Sequence, residues 1–115
     1  MKNDNEKYEN FLNVEEDPRT YSYTLKGLIV NIVQKNNMVN LSITGSTNEA
    51  LSKETFYDLS INSNLAPLFE INDTFLLASG GGMIRITTDG VLRLYPWTNL
   101  ESGLGIRYST TYISN

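Results

Sequence analysis

The sequence predicts an all-β fold, an antiparallel β-sandwich or jelly-roll-like domain, and three observations carry that expectation. Apolar and polar residues alternate with period two through much of residues 21–115. Two turn signals, Asn36-Asn37 and Thr88-Asp89-Gly90, each join such runs in a register that sorts side chains by face. The remaining runs are short and closely spaced, with Gly, Asn and Pro between them.

Residues 1–20, MKNDNEKYENFLNVEEDPRT, read as a polar acidic leader outside the β domain of residues 21–115. Tyr8, Phe11 and Leu12 have helical spacing, Asn3 or Asp4 could cap a short helix, and Pro18 would stop it. So short a helix is marginal alone. The leader is therefore a tail or a short element docked on another protein.

The first clear β unit is Leu28–Lys35, a two-residue turn at Asn36-Asn37, then Met38–Thr44. That turn sets Gln34 opposite Val39, Ile32 opposite Leu41 and Val30 opposite Ile43, all on one face. Asparagine tolerates the positive φ of a type I′ turn, so turn chemistry and register agree. The other face carries Ile29, Asn31, Val33 and Lys35 against Met38, Asn40, Ser42 and Thr44. A solvent-washed face alternates more sharply. Part of it is expected to be covered, by a second sheet or a neighbouring subunit.

Next, Asn48–Lys53 allows a helical turn and Thr55–Ile61 reads as a strand, broken by Leu65-Ala66-Pro67. Phe69–Ala78 supplies a further strand or two, and Ser79–Gly82 reads as a flexible link. The second hairpin pairs Met83–Thr87 with Val91–Tyr95. A two-residue Asp-Gly turn would set Ile86 against Arg93 and mix the faces. A three-residue loop ending in Gly90 sets Ile86 against Leu92 and Ile84 against Leu94, with Gly90 as the left-handed residue of a G1 bulge. The last strand, Ile106–Ile113, alternates Ile106, Tyr108, Thr110 and Tyr112 against Arg107, Ser109, Thr111 and Ile113.

Composition excludes several function classes. A chain of 115 residues has room for one modest core, and oligomerisation would add buried area. No apolar window is long enough to span a membrane, and the acidic N-terminus is no secretory signal, so membrane insertion is not expected. There is no cysteine and no histidine. Disulfides and Ser-His-Asp or Cys-His catalysis are excluded, and zinc and copper sites lose their preferred ligands. Residues 1–20 hold three basic and six acidic side chains, and the remainder six and seven. Neither part offers the basic face that nucleic acid requires.

No motif for catalysis, a cofactor or a metal emerges, and the chain is expected not to be an enzyme. Gly80-Gly81-Gly82 lacks the Lys-Ser/Thr and helix of a phosphate loop. Asp58, Glu70, Asp73, Asp89 and Glu101 are scattered and read as solvated acids, although a cleft between subunits could pair carboxylates for sugar hydrolysis. Glu15-Glu16-Asp17 lacks the spacing and glycine of a calcium loop.

Two features bear on binding. The only tryptophan, Trp97, sits in the loop segment Tyr95–Gly103 near Tyr95 and Asn99, where it offers an apolar face with a polar edge. Its alternative is to fold back and cap the core. The second hairpin's register also sets Arg85 opposite Arg93, a mild like-charge clash. Solvent or an acid such as Asp89 or Glu101 would relieve it. So would an anionic ligand or an intersubunit carboxylate held by both guanidinium groups.

Residues 27–115 resemble the C-terminal head domain of receptor-binding, baseplate or tail-fibre proteins of phages that infect Gram-positive bacteria. The resemblance lies in Ile29–Gln34, Asn36-Asn37 and Met38–Leu41, then Leu65-Ala66-Pro67-Leu68. It continues through the Ile-x-Ile-x-x-Asp-Gly-x-Leu-x-Leu pattern of Ile84–Leu94 and the closing Tyr112-Ile113. It implies a homotrimeric β-sandwich head in the virion, beside other tail proteins, that binds host cell-wall saccharide. Trp97, Tyr95, Asn99, Arg85 and Arg93 are then the candidate carbohydrate-binding residues. The competing expectations are a purely structural virion protein and a polysaccharide-cleaving enzyme with an intersubunit site.

Overall fold

Among the described residues, eight strands account for the fold: Arg19–Leu25 (β1), Leu28–Lys35 (β2), Met38–Gly45 (β3), Tyr57–Ile61 (β4), Ile71–Leu77 (β5), Gly80–Ile86 (β6), Val91–Pro96 (β7) and Tyr108–Ile113 (β8). The computed structural model describes residues 18–77 and 80–115. The expected leader helix around Tyr8, Phe11 and Leu12 lies outside them. The strands form two four-stranded antiparallel sheets, ordered β1-β2-β3-β8 and β4-β7-β6-β5. They pack face to face, as the period-two alternation predicts.

The core is what the alternation requires. Leu28, Val30 and Ile32 of β2 and Val39, Leu41 and Ile43 of β3 are buried in the first sheet. Ile84 and Ile86 of β6 and Leu92 and Leu94 of β7 are buried in the second, and Leu51, Leu65, Leu100 and Ile106 close the ends. Each such side chain contributes about 1.5–3 kcal/mol by leaving water.

The first expected hairpin forms with Gln34 opposite Val39, Ile32 opposite Leu41 and Val30 opposite Ile43. Its turn differs in one respect. Of its two central residues only Asn36 has a positive φ, 55°, the pattern of a type II′ turn rather than I′. The second hairpin also pairs as expected, Ile86 with Leu92 and Ile84 with Leu94. Gly90 has φ 85°, and its N–H donates to the Thr87 carbonyl at 2.9 Å, closing the three-residue loop.

Other elements depart from the sequence expectation. β1 begins at Arg19, two residues inside the supposed leader, and joins β2 through Lys26 and Gly27, both at positive φ. Asn48–Lys53 is not helical; Leu51 instead bridges Leu100 through paired backbone hydrogen bonds of 2.8 and 2.9 Å. Gly80–Gly82 is no slack link but the start of β6. A Cβ on Gly82 would lie 2.7 Å from the Phe75 ring of β5 and 2.5 Å from the Tyr95 carbonyl. The missing side chain is thus the space that the buried Phe75 fills. The covered second face of the first hairpin is also not delivered by the other sheet. Ile29, Val33 and Met38 remain exposed.

Candidate aromatic platform on the second sheet

The outward face of the second sheet gathers most of the residues singled out in the sequence. Register places Asp58 of β4 opposite Arg93 of β7, Arg93 opposite Arg85 of β6, and Arg85 opposite Asn72 of β5. One row across the sheet thus reads acid, base, base, amide. The neighbouring row runs Tyr95, Met83, Thr74. Phe56, just before β4, joins Tyr95, their ring centroids 4.6 Å apart and tilted at 46°.

The like-charge pair is relieved, but by other acids than the sequence suggested. Arg93 Nε donates to Asp58 Oδ1 at 2.9 Å. Arg85 Nε donates to Asn72 Oδ1 at 2.9 Å and lies 3.2 Å from Glu70 Oε1. Asp89 lies in the hairpin loop and Glu101 beyond β7, whereas Asp58 comes from β4 and Glu70 from just before β5, on either side of the hairpin. The register of one hairpin does not reveal its neighbours. Both guanidinium carbons also lie near the Phe56 ring, at 5.5 Å for Arg85 and 5.7 Å for Arg93. Half-exposed ion pairs and cation–π contacts are each worth about 0.2–1 kcal/mol. Two of each outweigh one cross-strand repulsion of about the same size.

These contacts make the arginines a support for an aromatic surface. Phe56 is 46% exposed and Trp97 47% exposed, so Trp97 does not fold back into the core. It follows Tyr95 at the same parity, roughly 7 Å further along the chain. Its N–H donates to the Gly81 carbonyl at 2.9 Å, extending the β6–β7 pairing by one residue. Gly81 puts no side chain beside it, and Leu76, 79% exposed, lies across from Gly81 on β5. Asn99 is not part of this row: its Oδ1 accepts from the Lys53 N–H at 2.9 Å and holds the loop before β4. Of the five residues expected to bind, four share one face and Asn99 serves the scaffold.

Phe56 falls inside the strand expected over Thr55–Ile61, which in the structure starts one residue after it, but nothing in that run marks it as a binding residue. Its position opposite Tyr95 exists only once β4 pairs with β7. Three of the carboxylates singled out in the sequence are engaged within the chain. Asp58 and Glu70 are held by arginines, and Asp73 accepts from the Tyr108 hydroxyl at 3.0 Å. Among the described residues no group of three or more acids comes together to hold a metal ion.

Two hollows lie on the outward face of the first sheet. One of about 560 Å³ is lined by Lys35, Asn36, Asn37, Met38, Asn40 and Ile113. Another of about 560 Å³ lies over Asn31, Val33, Asn40, Ser42, Ser109 and Thr111. The aromatic face needs no such hollow, since flat rings stack on an open surface, and its Phe56 ring is held against Tyr95 and both guanidinium groups. No helix among the described residues is long and apolar enough to cross a membrane. No protein-family model matches the chain, and no curated protein matches it.

Proposed function

We propose that this chain is a receptor-binding domain of a phage or prophage tail or baseplate, attaching the virion to host cell-surface saccharide without cleaving it. The observation that carries the reading is the aromatic platform on the second sheet, where half-exposed Phe56 packs on Tyr95 and lies near Arg85 and Arg93, with half-exposed Trp97 two residues beyond Tyr95. Exposed rings on a rigid sheet stack on the apolar faces of sugar rings at little entropic cost, because the scaffold is ordered before binding. The sandwich fold and the resemblance of residues 27–115 to phage head domains support the same reading. Placement in a homotrimer beside other tail proteins belongs to this proposal.

The test is binding of the purified chain to cell-wall polysaccharide of Gram-positive bacteria. Trp97→Ala and Phe56→Ala are each expected to weaken binding at least tenfold. Their thermal midpoints should stay within a few degrees of the parent, since both side chains are about half exposed. Equal binding by parent and variants would remove the platform from the account, and no binding by the parent would end it.

A second reading, a structural virion protein without a glycan ligand, is favoured by the first sheet. Its outward face carries Thr24, Ile29 and Thr44, then Ser22, Asn31, Ser42 and Ser109, then Thr20, Val33, Asn40 and Thr111, and lastly Lys35, Met38 and Ile113. Among these paired residues only Lys35 is charged, and the exposed Arg107, just before β8, adds a second charge on the same side. Depletion of charge marks the core of protein interfaces, so this face suits contact between copies whichever reading holds.

A further inference from the structure

We infer that the platform takes an uncharged saccharide and rejects phosphate- or carboxylate-bearing polymers; this rests on the proposed function and deepens it. The inference turns on where the two guanidinium groups spend their charge. Opposed arginines with free forks would be a ready anion clamp. Here a carboxylate offsets each charge at its Nε, Asp58 at 2.9 Å from Arg93 and Glu70 at 3.2 Å from Arg85, whose Nε also donates to Asn72 at 2.9 Å and whose Nη2 turns to Met83 Sδ at 3.9 Å. Both guanidinium groups also approach the Phe56 ring, at 5.5 and 5.7 Å.

Two positive and two negative side chains therefore share this row, and the row's net charge is zero. An anion arriving at Arg93 meets Asp58 at nearly the same distance, and one arriving at Arg85 meets Glu70. Attraction and repulsion cancel to first order, and salt screens what remains. Around this neutral row stand Phe56, Tyr95, Met83 and Trp97, which reward stacking and apolar contact. Thr74, opposite Met83, adds a hydroxyl of the kind that pairs with sugar hydroxyls. The chemistry matches hexose rings without ionised substituents.

The experiment titrates the full chain with two probes at 50 and at 500 mM sodium chloride. One is neutral cell-wall polysaccharide freed of teichoic acid; the other is poly(glycerol phosphate). The expected result is binding of the neutral polymer with a Kd that changes less than about twofold between the two salts, and none of the phosphate polymer. Tighter binding of poly(glycerol phosphate), or a tenfold loss on raising the salt, would overturn the inference while leaving a saccharide-binding domain. Binding of neither probe would end both. A double variant, Asp58→Asn with Glu70→Gln, releases the arginines and is expected to gain salt-sensitive binding of the phosphate polymer. If it gains none, the carboxylates are not what silences the arginines and the inference falls.

Discussion

The Tyr112 hydroxyl donates at 2.7 Å to the Leu65 carbonyl, where the 3₁₀ turn Ser63–Leu65 meets β8. Tyr108, on the same face of β8, donates to Asp73 of β5 at 3.0 Å. Burial disfavours the phenolate at both sites and pushes both pKa values up to about 12, from an ordinary value of about 10. Above pH 10 the unfolded chain gives up these protons while the folded chain keeps them. The stabilisation is therefore full below about pH 10 and is lost as pH climbs toward 12. The thermal midpoint is expected to hold level from pH 7 to 9.5 and to fall beyond 10. Tyr112→Phe should lower stability by about 1–2 kcal/mol at neutral pH, since it strands the Leu65 carbonyl, and should flatten the alkaline fall. An unchanged alkaline slope in that variant would refute the assignment. That both tyrosines face inward was legible in the alternation of residues 106–113. Their partners were not, because Leu65 and Asp73 come from other elements.

At the scale of elements, the β6–β7 hairpin shows how far turn chemistry carries. The three-residue loop was readable because the alternative mixed Ile86 with Arg93. The structure adds a second demand on its glycine. Gly90 has φ +85°, and a Cβ there would lie 2.1 Å from the Asn62 carbonyl oxygen. The same residue accepts the Asn62 N–H at 3.0 Å, so the hairpin tip is docked against the end of β4. Gly90→Ala is expected to cost about 2 kcal/mol or more, combining left-handed strain with a backbone collision. Urea denaturation would check it; a loss under 0.5 kcal/mol would mean that the tip is not docked. The glycines of β6 were misread for a related reason. Three in a row lack any side-chain pattern, so period-two reading passes over them, and only Phe75 on the neighbouring strand explains why a strand should be bare there. The strand β1 was likewise undercounted, since its Lys26-Gly27 turn was not recognised.

For the whole molecule, the two outward faces divide the work. The second sheet carries rings and balanced charges, and the first an almost uncharged surface of Asn, Ser, Thr and exposed Ile, Val and Met. Within that surface Ser22 donates to Asn31 Oδ1 at 3.2 Å and Thr111 to Asn40 Oδ1 at 2.6 Å. Such cross-strand pairs fix the side chains before any partner arrives. If copies meet on this face, light scattering should give a trimer of the 13.0 kDa chain. Val33→Lys, an outward change at a position 40% exposed, should reduce it to a monomer. Ile61→Lys on the opposite sheet should leave the assembly intact. A monomeric parent, or dissociation by Ile61→Lys alone, would remove this face from the assembly.

Much of the sandwich was written in local order: which side chains turn inward, and how each of the two recognised hairpins is registered. Period-two alternation and turn residues act over a few positions, so neighbouring residues suffice to decide them. The order of strands in each sheet was a different matter, and with it the pairing of Arg93 with Asp58 across 35 residues of sequence and the seating of Phe56 against Tyr95. Those contacts arise where separate hairpins lie side by side, and no local pattern encodes which strand will be the neighbour. A like-charge clash seen along the chain thus became, once folded, a neutral row beneath an aromatic surface.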